Sequence, residues 1–142
     1  FWRHLLGGAA AIRFHRPDSG LGLNDKAMAC IKTARKIESM VPFWTLWPND
    51  SLLLEAWENT AYVAADIGQS YVVYFPNGGG ATLDVSDAEY PLELFWFEID
   101  PATMGKRNAQ FPAYVSRQNQ LRLNVPGQGN WVAVLLRKDS AE

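Results

Sequence analysis

The chain has 142 residues, enough for one domain with a buried core, and its content of 48% hydrophobic and 20% charged residues excludes a disordered protein. A formal net charge of -2 with scattered basic residues excludes the basic surface that nucleic-acid binding requires. A single cysteine, Cys30, excludes an internal disulfide, and no apolar run is long enough to span a membrane.

The first predicted elements are a helix end and a buried strand. Trp2–Leu6 is typical of the last turn of a helix, which Gly7-Gly8 would close. Ala9–Phe14 is apolar without alternation, apart from Arg13, and this pattern predicts a strand that is covered on both faces. Pro17 and the polar, glycine-containing residues after it end the strand.

An amphipathic helix follows the loop. Asn24 occupies the position of an N-cap, and Asp25 lies in the first turn, where the helix dipole favours a negative charge. Apolar residues recur at helical spacing at Met28, Ile31, Ala34, Ile37 and Val41. A parallel-type strand needs neighbours that this half does not supply. We therefore interpret 1–41 as the closing helix–strand–helix of a larger α/β domain.

From about Pro48 the sequence changes to short strands separated by turn signals, which predicts an antiparallel β-sandwich. In the last strand the residues on both faces are apolar, so we expect it to be central in its sheet. The six predicted strands are Asn59–Ala65, Ser70–Phe75, Ala81–Val85, Leu92–Ile99, Leu121–Asn124 and Trp131–Arg137.

Two groups of segments resemble one protein family. GGAAAIRFHRP, followed by GLGL and the amphipathic helix, resembles the last β/α unit of a bacterial glycoside-hydrolase-like TIM barrel. ENTAYVAADIGQSYVVYFPNGGGATLDV, LELFWFEIDPATMG and VPGQGNWVAVLL resemble the small β-sandwich that follows such barrels, a module often labelled a collagen-binding domain. The resemblance covers nearly the whole chain. It implies a terminal barrel unit with a linker at 1–47 and an antiparallel β-sandwich at 48–142.

The resemblance also implies a function. Family members carry the catalytic acid and base on earlier barrel strands, so this chain is expected to be a non-catalytic C-terminal fragment of a secreted or periplasmic bacterial hydrolase. Its start at Phe-Trp-Arg-His is interpreted as a truncation. The sandwich would buttress the barrel and help to engage carbohydrate or glycoprotein, without a cofactor. Two alternatives stay open: a freestanding carbohydrate- or protein-binding module, and an enzyme completed by association. The exposed barrel unit could also pair two copies of the chain as a homodimer.

His15 and Arg16 are the first candidate site residues. They follow the predicted strand Ala9–Phe14, and barrel enzymes place substrate-binding groups at the carboxyl ends of such strands. Imidazole and guanidinium groups could hydrogen-bond sugar hydroxyls or orient a carboxylate. The alternative, which we favour, is structural: Arg16 pairs with a loop acid and His15 caps the strand.

Trp44 and Trp47 are the second pair of candidates. They lie in the apolar segment 43–48, which joins the two halves and should not remain in solvent. We favour a wedge that locks the sandwich onto the barrel unit. The alternative is a platform on which sugar rings stack. The other tryptophans near strands are expected in the core, namely Trp57, Trp96 and Trp131.

Other chemistry is disfavoured. Glu55 and Glu58 have helical spacing but lie in a connector, and the aspartates at 84 and 87 flank a turn. His4 and His15 have no second histidine or cysteine at ligand spacing, so no metal site is expected. Gly78-Gly79-Gly80 lacks the Lys-Ser/Thr of a phosphate loop and predicts a hairpin turn instead.

Overall fold

Two antiparallel sheets account for the strands of the computed structural model, which describes residues 1–10, 24–55, 60–106 and 113–138. Two helices and two short 3₁₀ turns, at Phe43–Thr45 and Asp50–Leu52, complete the described structure. The helices are α1 (Trp2–Leu6) and α2 (Asp25–Glu38). The strands are β1 (Trp47–Pro48), β2 (Leu53–Glu55), β3 (Tyr62–Asp66), β4 (Ser70–Phe75), β5 (Gly80–Asp84), β6 (Leu92–Glu98), β7 (Ala113–Val115), β8 (Gln120–Asn124) and β9 (Trp131–Arg137).

The six-stranded sheet has the order β1-β3-β4-β9-β6-β7, and the three-stranded sheet has the order β2-β5-β8. The predicted mainly β, antiparallel class is confirmed, and β4 and β9 have the predicted bounds. Strand β9 is central, as predicted, between β4 and β6. The sequence did not predict β1, β2 or β7, each of only two or three residues.

The predicted hairpin at Gly78-Gly79-Gly80 is wrong. This turn joins β4 in one sheet to β5 in the other, so it carries the chain across the sandwich. Gly78 and Gly79 have φ of 70° and 82°, a backbone region that glycine adopts without strain. A Cβ on Gly80 would lie 2.6 Å from the carbonyl oxygen of Leu123 on β8, which leaves no room for a side chain where β5 joins its sheet.

The six-stranded sheet is covered on both faces. Alternate residues of β4 and β9 point in opposite directions, so Val73 and Ala133 pack towards the three-stranded sheet while Val72 and Val134 pack towards the helices. All four side chains are fully buried. The described part of the protein therefore has three layers, with one core between the sheets and a second core under α1 and α2.

Helix α2 starts as predicted, because the Asn24 side chain accepts a hydrogen bond from the Ala27 amide at 2.8 Å. Ala34, Ile37 and Val41 are buried as predicted, but the buried face differs from the prediction in the first half of the helix. Ala29 and Thr33 are fully buried, whereas the larger Met28 and Ile31 are only half-buried. Small residues on this face let the helix lie close to its neighbours.

The predicted strand Ala9–Phe14 lies mostly outside the described residues. Ala9 and Ala10 follow α1 and belong to no strand, and the Ala9 amide donates to the His4 carbonyl at 3.0 Å. The predicted boundary between 47 and 48 stays a prediction. Strand β1 lies across it and pairs with β3.

Candidate functional site

A groove of about 610 Å³ opens where the end of α1 meets the segment that leads into β1. Trp44 and Trp47 border it, and we call it the tryptophan groove. Its lining residues come from α1 and the turn after it, from the segment 43–48, and from β3: Leu5, Leu6, Gly7, Gly8, Ala9, Ala10, Phe43, Trp44, Leu46, Trp47, Pro48 and Ala64.

The two candidate tryptophans are strongly exposed. Trp44 is 79% exposed in the 3₁₀ turn, and Trp47 is 75% exposed on β1. Between and beside them, Phe43 and Leu46 pack into the core under the helices. The segment thus holds one pair of apolar side chains inward and presents the two indoles outward. The sequence predicted that the segment 43–48 would be buried. The prediction is confirmed for Phe43 and Leu46 and is wrong for Trp44 and Trp47 in this chain.

Aromatic packing holds the groove in place. Trp2 of α1 is only 1% exposed, and its ring lies 6.3 Å from that of Phe43 and 6.1 Å from that of Tyr74 on β4. Gly8 has a φ of 86°, and a Cβ there would lie 3.3 Å from the Pro48 ring. These contacts join the end of α1 to β1, so the groove has a rigid base.

The described side chains that line the groove are apolar. None of them is ionisable, their side-chain hydrogen-bonding groups are the two indole N–H groups, and backbone groups supply the other polar surface. General acid–base or nucleophilic chemistry needs such groups within reach of a substrate. The described lining of the groove is therefore suited to hydrophobic contact.

Only some of the other sequence candidates belong to the described residues. His15, Arg16, Trp57 and Glu58 lie outside the described residues. Glu55 is exposed on β2, on the other sheet. Among the residues that the structure describes, no group of three or more histidine, cysteine or acidic side chains could hold a metal ion.

Asp84 has a local structural role, as its position at a turn predicts. Its carboxylate accepts hydrogen bonds from the Ser86 hydroxyl at 2.6 Å and the Ser86 amide at 2.9 Å. Those bonds lower the pKa of the Asp84 carboxyl, since they favour the charged form.

Two tryptophans on the longer strands lie at the core, as predicted. Trp96 packs against the core between the sheets, and Trp131 is buried beside it. Their ring centroids lie 6.4 Å apart.

Sequence reasoning identified Trp44 and Trp47 but missed the opposite wall of the groove. Leu5 and the Gly7–Ala10 turn supply that wall. The Gly7-Gly8 pair was a signal for the end of a helix, but nothing local to it indicates that β1 lies alongside.

In the described part of the chain, no helix has the length and apolar character needed to cross a membrane.

Solved structures of glycoside hydrolases match this architecture. A protein described as a glycoside hydrolase matches with a TM-score of 0.58 and 15% identity, over 75% of this chain and 25% of that one. This chain has the fold of a segment of a glycoside hydrolase. A family 5 glycoside hydrolase from Bacteroides vulgatus ATCC 8482 matches with a TM-score of 0.57 and 13% identity, over 75% of this chain and 23% of that one.

These matches show a hydrolase-like fold and nothing more. At such low identity they do not carry over residues or activity, and this chain spans about a quarter of each matched hydrolase. No family model matches the chain, and no curated protein matches it.

Proposed function

We propose that this chain is a non-catalytic accessory part of a glycoside-hydrolase-like protein, and that the tryptophan groove is the surface on which the remainder of that protein docks. The observation that carries the proposal is the exposed pair Trp44 and Trp47 beside an uncharged groove. The matched segment is about a quarter of each hydrolase, and the remaining three quarters would include a docking partner of the right kind.

The energetic argument concerns the two indoles. A tryptophan side chain buries 150–250 Å² in a core or interface, which at about 25 cal/mol per Å² and the observed exposure corresponds to about 3–5 kcal/mol for each. Interface anchors of this kind are enriched in tryptophan and lie at the centre of the contact. Covering Trp44 and Trp47 with protein would therefore supply much of the docking energy.

The composition of the groove favours protein over sugar as its occupant. Small-ligand sites combine apolar walls with several converging polar groups that fix the ligand's orientation. Among the described side chains, the tryptophan groove offers two indole N–H donors beside its backbone groups, whereas a pyranose carries several hydroxyls that need partners. An apolar protein surface has no such requirement.

A second candidate function is a freestanding carbohydrate- or protein-binding module, and the exposed ring faces of Trp44 and Trp47 favour it. The rings could stack on the C–H faces of sugars in a polysaccharide or glycoprotein. In the docking proposal, His15 and Arg16 stay candidates for sugar contact in the intact protein. The family resemblance adds two features to the docking proposal: the collagen-binding label and a secreted or periplasmic location.

The test begins with the DNA upstream of the Phe1 codon, where we expect an open frame that encodes further strand–helix units. The longer protein and the 142-residue chain are then compared by urea unfolding. Trp44→Ala and Trp47→Ala should each lower the free energy of unfolding by about 2–4 kcal/mol in the longer protein, through lost buried area. In the 142-residue chain the same changes should stay within about 0.5 kcal/mol.

Tyr114→Ala is the matched control, because Tyr114 is a large aromatic residue that is 67% exposed on β7, at the opposite edge of the sheet from β1. It should behave alike in both proteins. An in-frame start codon directly before Phe1, or tryptophan effects that are equal in the two lengths, would contradict docking. Retention of the 142-residue chain on insoluble polysaccharide that depends on Trp44 or Trp47 would support the binding module instead. Hydrolysis of aryl glycosides by the 142-residue chain would contradict its non-catalytic role.

A further inference from the structure

The turn at 76–79 carries the chain from β4 in one sheet to β5 in the other, and the docking proposal does not use it. Pro76, Asn77, Gly78 and Gly79 form this turn, and none of them lines the tryptophan groove. Asn77 is exposed to solvent, whereas Gly78 is buried. The crossing between the sheets therefore places an exposed asparagine directly before a buried glycine.

An asparagine is among the chemically labile residues, and its neighbour in the chain decides how labile it is. The backbone nitrogen of the next residue can attack the carbonyl carbon of the asparagine side chain. A glycine nitrogen is the least hindered nucleophile for this attack, because glycine has no Cβ. Asn77 is the only asparagine of this sequence that a glycine follows. The sequence thus singles out Asn77 for the reaction.

Hydrogen bonds hold the side chains of other asparagines in place, but not that of Asn77. The Asn24 side chain caps α2, and the side-chain oxygens of Asn124 and Asn130 accept from an arginine and a tyrosine. Within the residues that the structure describes, the Asn77 side chain makes no hydrogen bond. Its amide group is therefore able to turn towards the Gly78 nitrogen.

The backbone after Asn77 has room to adjust on one side and close contacts on the other. A Cβ on Gly79 would meet nothing within 4 Å, so the tip of the turn is open. A Cβ on Gly78 would lie 3.0 Å from the Gly127 carbonyl oxygen and 3.5 Å from the Gln128 Cα, so this residue packs against the loop between β8 and β9. A longer main chain at position 77 would displace Gly78 from that contact.

We propose that Asn77 is a site of spontaneous deamidation in the folded protein, and that its isoaspartyl product weakens the crossing between the two sheets. The Gly78 nitrogen loses its proton and bonds to Asn77 Cγ, and the side-chain nitrogen leaves as ammonia. The product of this step is a cyclic succinimide.

Water then opens the succinimide by adding a hydroxyl to one of its carbonyl carbons and a proton to the Gly78 nitrogen. Cleavage of the bond from that nitrogen to Cγ gives aspartate. Cleavage of the bond to the main-chain carbonyl carbon gives isoaspartate, in which the main chain runs through Cβ and Cγ and is one atom longer. Both products gain a negative charge, but only isoaspartate displaces Gly78.

The test incubates the folded 142-residue chain at pH 6 and pH 8 beside a synthetic peptide of residues 74–82, with mass spectrometry of protease fragments over time. We expect Asn77 to show the mass gain of an NH₂ group replaced by OH, at a rate within a few-fold of that in the peptide. The reaction should be faster at pH 8, because the attacking nitrogen must lose its proton. Asn119 is the internal control, since it is exposed but precedes glutamine, and it should stay intact.

Stability is measured on the separated forms by urea unfolding. The isoaspartyl form should unfold at a lower urea concentration than the unmodified chain, whereas Asn77→Asp, which has the charge without the longer main chain, should unfold close to it. An intact Asn77 in the folded chain while the peptide reacts, or equal unfolding of the isoaspartyl and unmodified forms, would overturn the proposal. Docking fails or holds independently, because this reaction needs only the turn and water.

Discussion

Tyr74 makes the stability of the folded protein depend on pH in the alkaline range. Its ring stacks between Trp2 and Tyr62, at centroid distances of 6.1 Å and 6.2 Å, and its hydroxyl donates to Asn130 Oδ1 at 2.8 Å. Burial is the main cause that raises the pKa of Tyr74 to about 12, Cys30 raises it further, and Arg3 opposes the shift. The ionised form is thus disfavoured in the folded protein.

The raised pKa predicts a loss of stability in alkali. An unfolded tyrosine ionises near pH 10, so between pH 10 and pH 12 the unfolded chain releases a proton that the folded chain keeps. The contribution of Tyr74 is fully present below pH 10 and is lost as the pH rises towards 12. Tyr74→Phe should lower the free energy of unfolding at pH 7 by about 1 kcal/mol, through the lost hydrogen bond to Asn130.

The same variant should lose less stability than the parent between pH 10 and pH 12. Urea unfolding at pH 7, 10 and 11.5 measures both effects. A Tyr74→Phe slope as steep as that of the parent would contradict the role of Tyr74.

At the scale of elements, the packing of α2 depends on Gly105 in the loop after β6. A Cβ on Gly105 would lie 2.3 Å from the Thr33 hydroxyl and 2.9 Å from the Thr33 Cα, so the loop touches the helix directly. Lys36 ties the helix to the same loop through its two carbonyl bonds. The helix and the loop therefore form one packed unit.

Gly105→Ala should push the loop away from α2 and lower the free energy of unfolding by about 2–4 kcal/mol. Gly79→Ala is a close control, since both glycines have a φ of 82° but a Cβ on Gly79 meets nothing within 4 Å. The control should show only the cost of the backbone conformation, about 1 kcal/mol. Equal losses in the two variants, measured by urea unfolding, would show that contact with Thr33 does not matter.

The elements that the sequence predicted well are those with strong local signals. Strands β4 and β9 are six and seven residues long and nearly all apolar, and Asn24 marks the start of α2 by its own hydrogen bond. Strands β1, β2 and β7 are too short to show alternation, so their existence depends on partners distant in sequence. The turn at 78–80 carries the residues of a hairpin, and only the sheet order shows that it joins two sheets.

The candidate site was predictable only in part, for the same reason. The apolar composition of 43–48 identified Trp44 and Trp47 as unusual. Their outward direction follows from the pairing of β1 with β3 and from the inward packing of Phe43 and Leu46. Neither contact leaves a signal in the segment itself.

At the scale of the whole molecule, the layers of the described structure leave the tryptophan groove uncovered. The cores on both faces of the six-stranded sheet are filled, yet two of the chain's six tryptophans remain more than 70% exposed beside the tryptophan groove. A surface of this kind marks a contact site. The central claim is that other residues of a hydrolase-like protein cover it.

Hydroxyl-radical footprinting tests this claim most directly, because it measures the oxidation rate of each exposed aromatic residue by mass spectrometry. The 142-residue chain is compared with the longer protein that the docking proposal expects the same gene to encode. We expect oxidation of Trp44 and Trp47 to fall several-fold in the longer protein, while that of Tyr114 stays the same. Unchanged oxidation of Trp44 and Trp47 would contradict the claim.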